Sequence, residues 1–278
     1  MRVVVASGKG GTGKTTVAVN LALCSDDALL VDCDVEEPDG HLFVGVDGEK
    51  VGDVTLPVAR VDESACTYCG ECARACQFNA IAVLPGRVMV FDSLCHGCGA
   101  CSIVCPEDAV YEEPRRIGEL RRSKENSVNL MWGVLDIGEP MATPVIRRLK
   151  EVAGNDGFQI LDAPPGTACP VVETLRDADY CVLVTEPTPF GRYDLTLAVD
   201  LLREMQVPCG VIVNRDRDDG GALDTYLREQ GLEVLMRIPD SLEIARLYAR
   251  GIPFTDEMPP WRHEFRRLFE NLANGSSP

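Results

Sequence analysis

The stretch Gly8-Lys9-Gly10-Gly11-Thr12-Gly13-Lys14-Thr15 decides the fold. It fits the phosphate-binding pattern G-x-x-x-x-G-K-S/T, and its neighbours supply the required context. The preceding residues Arg2-Val3-Val4-Val5-Ala6 form a short β-branched apolar run, as expected of a buried parallel strand. The following residues, Thr15-Thr16-Val17-Ala18-Val19-Asn20-Leu21-Ala22-Leu23, read as a helix. A strand that feeds a glycine loop opening a helix aims backbone N–H groups and the positive end of the helix dipole at one point, which suits a phosphate. Glycines let the backbone close on the anion where a Cβ would clash. Lys14 is placed to reach the β- and γ-phosphates, and Thr15 to hold Mg²⁺.

Composition narrows the class. A chain of 278 residues suits one large α/β domain or two smaller ones. A formal net charge of −17 disfavours a nucleic-acid phosphate backbone as a direct partner. No secretory leader pattern opens the sequence, and no apolar run approaches the ~18 residues of a membrane span. The expectation is a cytoplasmic protein. Thirteen cysteines in a reducing compartment argue for metal rather than disulfides.

Two cysteine runs carry that argument. Cys66, Cys69, Cys72 and Cys76 stand in C-x₂-C-x₂-C-x₃-C spacing, and Cys95, Cys98, Cys101 and Cys105 repeat it, followed by Pro106. This is the bacterial two-cluster ferredoxin pattern, in which the fourth cysteine of each run ligates the other cluster. Cys66, Cys69, Cys72 and Cys105 are therefore expected to hold one 4Fe–4S cluster, and Cys95, Cys98, Cys101 and Cys76 the second. Zinc is the alternative, but four-cysteine zinc sites usually pair two C-x₂-C units. Gln77, not proline, follows Cys76, a departure that touches loop stiffness and not ligation. Between the runs, residues 80–83 and 88–91 flank Pro85-Gly86 and read as a hairpin. The insert is bounded by Leu56-Pro57 and Glu112-Glu113-Pro114. The resulting division is 1–60, first part of a P-loop ATPase domain; 61–114, an inserted two-cluster ferredoxin domain; and 115–278, the second part of the ATPase domain. The arginine-rich run Arg115, Arg116, Arg121, Arg122 and Lys124 reads as a solvated hairpin face, with a docking patch for an acidic redox partner as the alternative.

The run from Lys9 to Thr16 resembles the deviant Walker A loop of the ATPase superfamily (SIMIBI class) that includes MinD, ParA, Mrp-type cluster carriers and the nitrogenase iron protein. The likeness is closest to MinD-like ATPases with an inserted two-cluster ferredoxin domain. It implies a doubly wound, mainly parallel α/β sheet with a small α+β insert between the second and third core strands. In that superfamily the early lysine, here Lys9, reaches a partner's phosphates across a nucleotide-sandwich homodimer, or a heterodimer with a similar ATPase. Residues 28–31 read as the second core strand, ending in Asp32-Cys33-Asp34. The resemblance gives Asp34 the orientation of the attacking water, and it makes the polar loop 36–41 switch I. Residues 157–161 read as a core strand ending in Asp162, the Mg²⁺-positioning acid. Gly166 of Asp162-Ala163-Pro164-Pro165-Gly166 is expected to sense the γ-phosphate, Asn214 to read the adenine edge and Pro239 to pack on the base. Gly8 through Thr16 complete the expected nucleotide set.

The remaining elements are expected as a helix at 143–152, strands near 181–184, 209–213 and 234–238, and a helix near 194–205. The tail from Pro260 to Leu272 has helical apolar spacing and is expected to pack on the sheet rather than bind membrane. The end, residues 274–278, is expected to fray. Cys169 is read as a buried or reactive thiol, and Cys24, Cys33, Cys181 and Cys209 as core thiols. His41 and His96 are not needed as ligands. The functional expectation is a slow, partner-stimulated ATPase whose nucleotide-driven dimer closure reorients a ferredoxin-type electron-transfer module toward a redox or cofactor-handling partner. The alternatives are an ATP-dependent iron–sulfur or metal-cofactor assembly factor, and a MinD-like positioning ATPase with a redox-sensing insert.

Overall fold

The computed structural model describes residues 1–124, 128–217 and 221–275; of the tail expected to fray, residues 276–278 lie outside that range. The first strand–loop–helix unit forms as its sequence dictates: β1 (Arg2–Ala6), the glycine loop, then α1 (Lys14–Leu23). The β-branched run of β1 alternates its faces, sending Val4 into one apolar layer and Val3 and Val5 into the other. After β2 (Leu29–Asp32) and the short α2 (Gly40–Val44) comes β3 (Glu49–Val61). The cysteine-rich segment then contributes α3 (Glu71–Ala75), the hairpin β4 (Ile81–Leu84) and β5 (Arg87–Val90), a 3₁₀ turn at Asp92–Leu94, and α4 (Ala100–Ile103). The chain returns along β6 (Val110–Ser123) and β7 (Asn129–Leu135). It continues through α5 (Thr143–Ala153), β8 (Gln159–Asp162), α6 (Cys169–Leu175), β9 (Tyr180–Thr185) and α7 (Pro189–Met205). Last come β10 (Cys209–Asp216), α8 (Ala222–Glu229), β11 (Val234–Pro239), α9 (Leu242–Ala249), α10 (Phe254–Glu257) and α11 (Pro259–Ala273).

The main sheet has nine strands in the order β11-β10-β9-β1-β8-β2-β7-β6-β3. From β11 through β7 every pairing is parallel, and only the β7–β6 and β6–β3 pairings, at one edge, are antiparallel. Helices cover both faces. Side chains of α5, α6, α7 and α8 fill one layer, and those of α1 and α11 with Phe254 fill the other. This is the doubly wound arrangement, with loops after the strand C-termini available for a ligand.

The expected domain boundaries fall inside an edge ribbon. β3 and β6 pair from Glu49 with Arg122 to Val61 with Val110, straight through the expected domain boundaries. Their inner ends bury Val54, Leu56, Ile117 and Leu120 in the main core. Their outer ends bury Ala59 and Val110 beside Cys72, Ile81 and Cys101 of the insert. The two strands are one ribbon shared by both parts. The breaker residues that marked the boundary are accommodated within it: Pro57 lies directly opposite Pro114. Neither can donate, so this rung works only with its N–H positions facing outward, where their absence also blunts both edges.

The arginine run falls on β6, and its charges are engaged within the fold. Arg115 forks onto Glu139, Arg116 meets Asp53 at 2.6 Å and Glu119 at 3.1 Å, and Arg121 meets Glu119 at 3.1 Å. That favours the solvated face over an acidic-partner dock. The apolar stripe of α11 is buried through Phe265, Leu268 and Leu272, as packing on the sheet requires. Among the described residues no helix is long and apolar enough to cross a membrane. α7 starts earlier than its periodicity suggests, because Pro189 at the first turn needs no donor and the Thr188 hydroxyl accepts from the Gly191 N–H at 2.9 Å.

Candidate functional site

Three parallel strands, β1, β2 and β8, end side by side and deliver the glycine loop, Asp32 and Asp162 to one point. Asp32 is in direct register with Asp162. Gly11 and Gly13 have φ of 79° and 89°, the left-handed region that favours glycine, and Gly13 caps the start of α1. A Cβ on Gly8 would come within 2.2 Å of the Asp194 carbonyl oxygen, so α7 packs directly beneath the loop. Gly166 turns with φ of 92° and donates its N–H to the Ser7 carbonyl at 3.0 Å, which ties the segment Asp162–Gly166 to the start of the loop.

The charged side chains of this end are in contact. Lys14 Nζ lies 2.6 Å from Asp162 Oδ1 and 3.9 Å from Asp34 Oδ2, and 3.4 Å from Thr15 Oγ1. Burial works against the Lys14 charge, but Asp162 beside it holds the ammonium above its ordinary pKa. Burial, reinforced by the neighbouring Asp162 charge, pushes Asp32 up to about 8. Burial also lifts Asp34 to about 6, against the opposing pull of Lys14. Two polar atoms aimed into this region, Thr12 Oγ1 and Asp162 Oδ2, are buried and have no hydrogen-bond partner among the described residues. Buried polar atoms are rarely left so. A hydroxyl and a carboxylate oxygen without partners fit phosphate and a hard, oxygen-seeking cation such as Mg²⁺.

A cavity of about 260 Å³ begins at Gly10–Thr16 and runs past Pro165, Asn214 and Pro239 to α9. Asn214 is at its wall with both amide groups engaged: Nδ2 donates to the Thr12 carbonyl at 2.7 Å and Oδ1 accepts from the Arg215 N–H at 3.0 Å. It clamps the glycine loop from β10. Lys9 rests on its own chain, 3.4 Å from Glu186 at the end of β9, and the same carboxylate also receives Arg215. Sequence reasoning passed over Glu186, because no local pattern marks it. It also passed over Asp32, whose carboxylate accepts from the Asp34 and Gly40 N–H groups at 3.0 and 2.9 Å and so sets the course of loop 34–40.

The insert brings its cysteines together around two small cavities. One is lined by Cys66, Cys69, Cys72 and Cys105, the other by Cys76, Cys95, Cys98 and Cys101. These are the crossed quartets of the spacing argument. The loops repeat one conformation: Tyr68, Gly70 and Asn79 in the first run and Gly97, Gly99 and Asp108 in the second all have positive φ. A bulky residue such as Tyr68 adopts that region only under constraint. The turns direct amides at sulfur, with Tyr68, Ala80 and Ala109 donating N–H groups to Cys66, Cys76 and Cys105 Sγ at 3.4, 3.3 and 3.3 Å. Among the described residues no group of three or more His, Cys, Asp or Glu side chains is gathered so as to hold a metal ion. Each thiol set instead stands around a space. Of the remaining cysteines, Cys24, Cys33 and Cys181 are buried and Cys209 half-buried, while Cys169 is exposed at the start of α6.

Comparison with known proteins agrees with the nucleotide-binding fold. The family model of the CobQ/CobB/MinD/ParA nucleotide binding domain matches residues 3–254. Two uncharacterized proteins of Methanocaldococcus jannaschii are similar along their whole length. One is 29% identical, with 98% of this chain and 96% of that protein covered; the other is 28% identical, with 99% and 97% covered. Among solved structures, MinD in the MinC:MinD cell division complex of Aquifex aeolicus has a TM-score of 0.62 at 18% identity, covering 100% of this chain and 97% of the other. The cell division ATPase MinD of Pyrococcus furiosus has a TM-score of 0.59 at 20% identity, covering 99% of both chains. The septum site-determining protein MinD of Pyrococcus horikoshii, complexed with Mg-ADP, has a TM-score of 0.57 at 20% identity, covering 98% and 95%.

Proposed function

The chain belongs to the CobQ/CobB/MinD/ParA nucleotide-binding domain family, and from that footing we propose that it is a slow ATPase whose nucleotide-driven movements are coupled to an iron–sulfur module. The observation that carries the reading is the pairing, in one chain, of a complete phosphate loop with two four-thiol cavities on a ribbon continuous with the same sheet. The domain division at 1–60, 61–114 and 115–278 describes where the two chemistries lie, although the ribbon crosses both boundaries.

In this reading the amides of Gly8 through Thr16 and the Lys14 ammonium receive the phosphates, and Thr15 and Asp162 hold Mg²⁺. Lys14 now neutralises Asp162. An incoming triphosphate competes for Lys14 and so frees the Asp162 carboxylate for the cation. Asp34, held near the same point, accepts a proton from or orients the attacking water. Gly166, whose N–H now donates to the Ser7 carbonyl, exchanges that bond for the γ-phosphate and so reports it to the segment 162–166. Asn214 and Pro239 take the base end, with Asn214 also fixing the loop. Lys9 leaves Glu186 to reach the phosphates of a second, similar chain, which makes the closed form a dimer.

Cys66, Cys69, Cys72 and Cys105 would hold one 4Fe–4S cluster and Cys76, Cys95, Cys98 and Cys101 the other. Four thiolates at the corners of a cube stand farther apart than the ligands of one ion, which suits thiols lining a space. When bound, the clusters would supply one-electron transfer. The chain's own contribution is to fix the thiols by strained turns and N–H donors, and to carry them on β3 and β6. Movement at the nucleotide end therefore displaces the insert as part of the subunit, toward a redox or cofactor-handling partner presented by dimer closure.

A second reading is a MinD-like positioning ATPase with a redox-sensing insert, favoured by a fold likeness that spans the whole chain. The buried stripe of α11 counts against its membrane-binding form. Anaerobic redox titration followed by EPR, with ADP and then with a non-hydrolysable ATP analogue, separates the two. Potentials or spectra that change with nucleotide support energetic coupling. Identical titrations in both states would remove the coupled reading and leave the insert as a sensor, docking or assembly module.

A further inference from the structure

We propose that Phe43 of α2 and Tyr248 of α9 form an aromatic clamp on the base of the bound nucleotide, linking base occupancy to the loop that follows Asp34. The inference rests on the nucleotide reading of this cavity and adds two side chains from elements far apart in sequence.

The cavity has two chemically distinct halves. At Gly10–Thr16 it is lined by backbone N–H groups, a lysine and hydroxyls, which is a phosphate's environment. At the other end its walls are Ile244, Ala245, Phe43, Tyr248 and Phe254, with no anion-binding group among these five. A nucleotide divides the same way, into a charged tail and a flat, weakly hydrated ring. Base–aromatic stacking tolerates any base because every base offers a π-face. Phe43 and Tyr248 lie with ring centroids 5.3 Å apart and tilted by 44°. At that separation no base fits between them, but their tilt and the exposure of Tyr248 leave outward ring faces against which a base can lie. Tyr248 is 53% exposed, a large apolar surface without cover inside a cavity.

Placement gives the clamp a second consequence. α2 begins at Gly40, whose N–H is held by the buried Asp32 carboxylate at 2.9 Å. The Leu42 and Phe43 N–H groups both return to the Asp39 carbonyl, at 3.0 and 3.4 Å. The segment between Asp34 and Phe43 is thus pinned at Asp32 and free to gain a further fixed point at Phe43. A base stacked there immobilises the far end of the segment carrying Asp34, which inorganic phosphate chains cannot do.

The test is isothermal titration of the full-length, cluster-loaded protein with ADP and with inorganic pyrophosphate. Tyr248→Ala and Phe43→Leu, the latter keeping most of its packing volume, are each expected to weaken ADP binding about 5- to 150-fold, the range of base–aromatic stacking. Pyrophosphate binding should stay within about twofold, and Tyr248→Phe should behave as the unaltered protein. Unchanged ADP affinity in both Tyr248→Ala and Phe43→Leu would overturn the clamp while leaving the nucleotide site intact. Parallel loss of ADP and pyrophosphate binding would also overturn it, by revealing a structural role. Failure of the unaltered protein to bind either ligand would overturn the nucleotide reading itself, and the clamp with it.

Discussion

The phosphate-loop end and the thiol insert are two binding regions built on opposite principles. At the first, the groups that matter come from remote parts of the chain: Lys14 and Asp162 are 148 residues apart and meet at 2.6 Å because β1 and β8 are adjacent parallel strands. At the second, every thiol lining the two cavities comes from one segment, and two near-repeats of a single loop conformation place them. The first region depends on the sheet and the second on turns. The charged partners at the nucleotide end come from separate elements, whereas the insert's thiols are set by local turns. The β3–β6 ribbon joins the two regions.

The largest effect that tests this contrast is at Lys14. Lys14→Ala should abolish nucleotide binding, read by calorimetry, while the visible absorbance of the clusters persists. Loss of both would mean the two regions are not separable. Next comes the crossed ligation. Cys105→Ser should lower the iron content from about eight to about four atoms per chain and deplete the first quartet, although Cys105 belongs to the second run. Retention of full iron would break the crossed assignment. At Lys9 the expected effect is smaller and selective. Lys9→Ala should lower ATP-dependent dimerisation or turnover by at least about tenfold, the scale of one lost charge-assisted contact, with ATP binding by the monomer almost unchanged. Turnover equal to that of the unaltered protein would remove the sandwich model. The smallest effect belongs to the ribbon's exposed ties. Arg60 pairs with Asp92 at 2.8 Å and with Glu113 at 3.2 Å, all three partly exposed. Arg60→Ala should lower unfolding stability by no more than about 1 kcal/mol, as partly exposed ion pairs do, and leave nucleotide affinity alone. A larger loss in denaturant titration would show that the insert and the ATPase core depend on each other beyond their shared strands.

The sequence made most of the parallel core legible, because its strands are short β-branched runs and its helices carry apolar stripes. The ribbon was not legible as such. β3 contains Leu56-Pro57, which read as a boundary, and only pairing with β6 makes this segment an edge strand. β7 was passed over for a similar reason: Asn129–Leu135 is a short apolar run whose partners, β2 and β6, lie far off in sequence.

By itself the sequence determined the phosphate loop and the eight-cysteine pattern, since both are fixed by spacing within a turn or two of backbone. Only the tertiary structure decided that Lys14 rests on Asp162, that Lys9 rests on Glu186, that Asn214 holds the glycine loop, and that Asp32 anchors the segment after Asp34. Those contacts lie between strand ends brought side by side by parallel pairing, and no local spacing encodes which ends become neighbours.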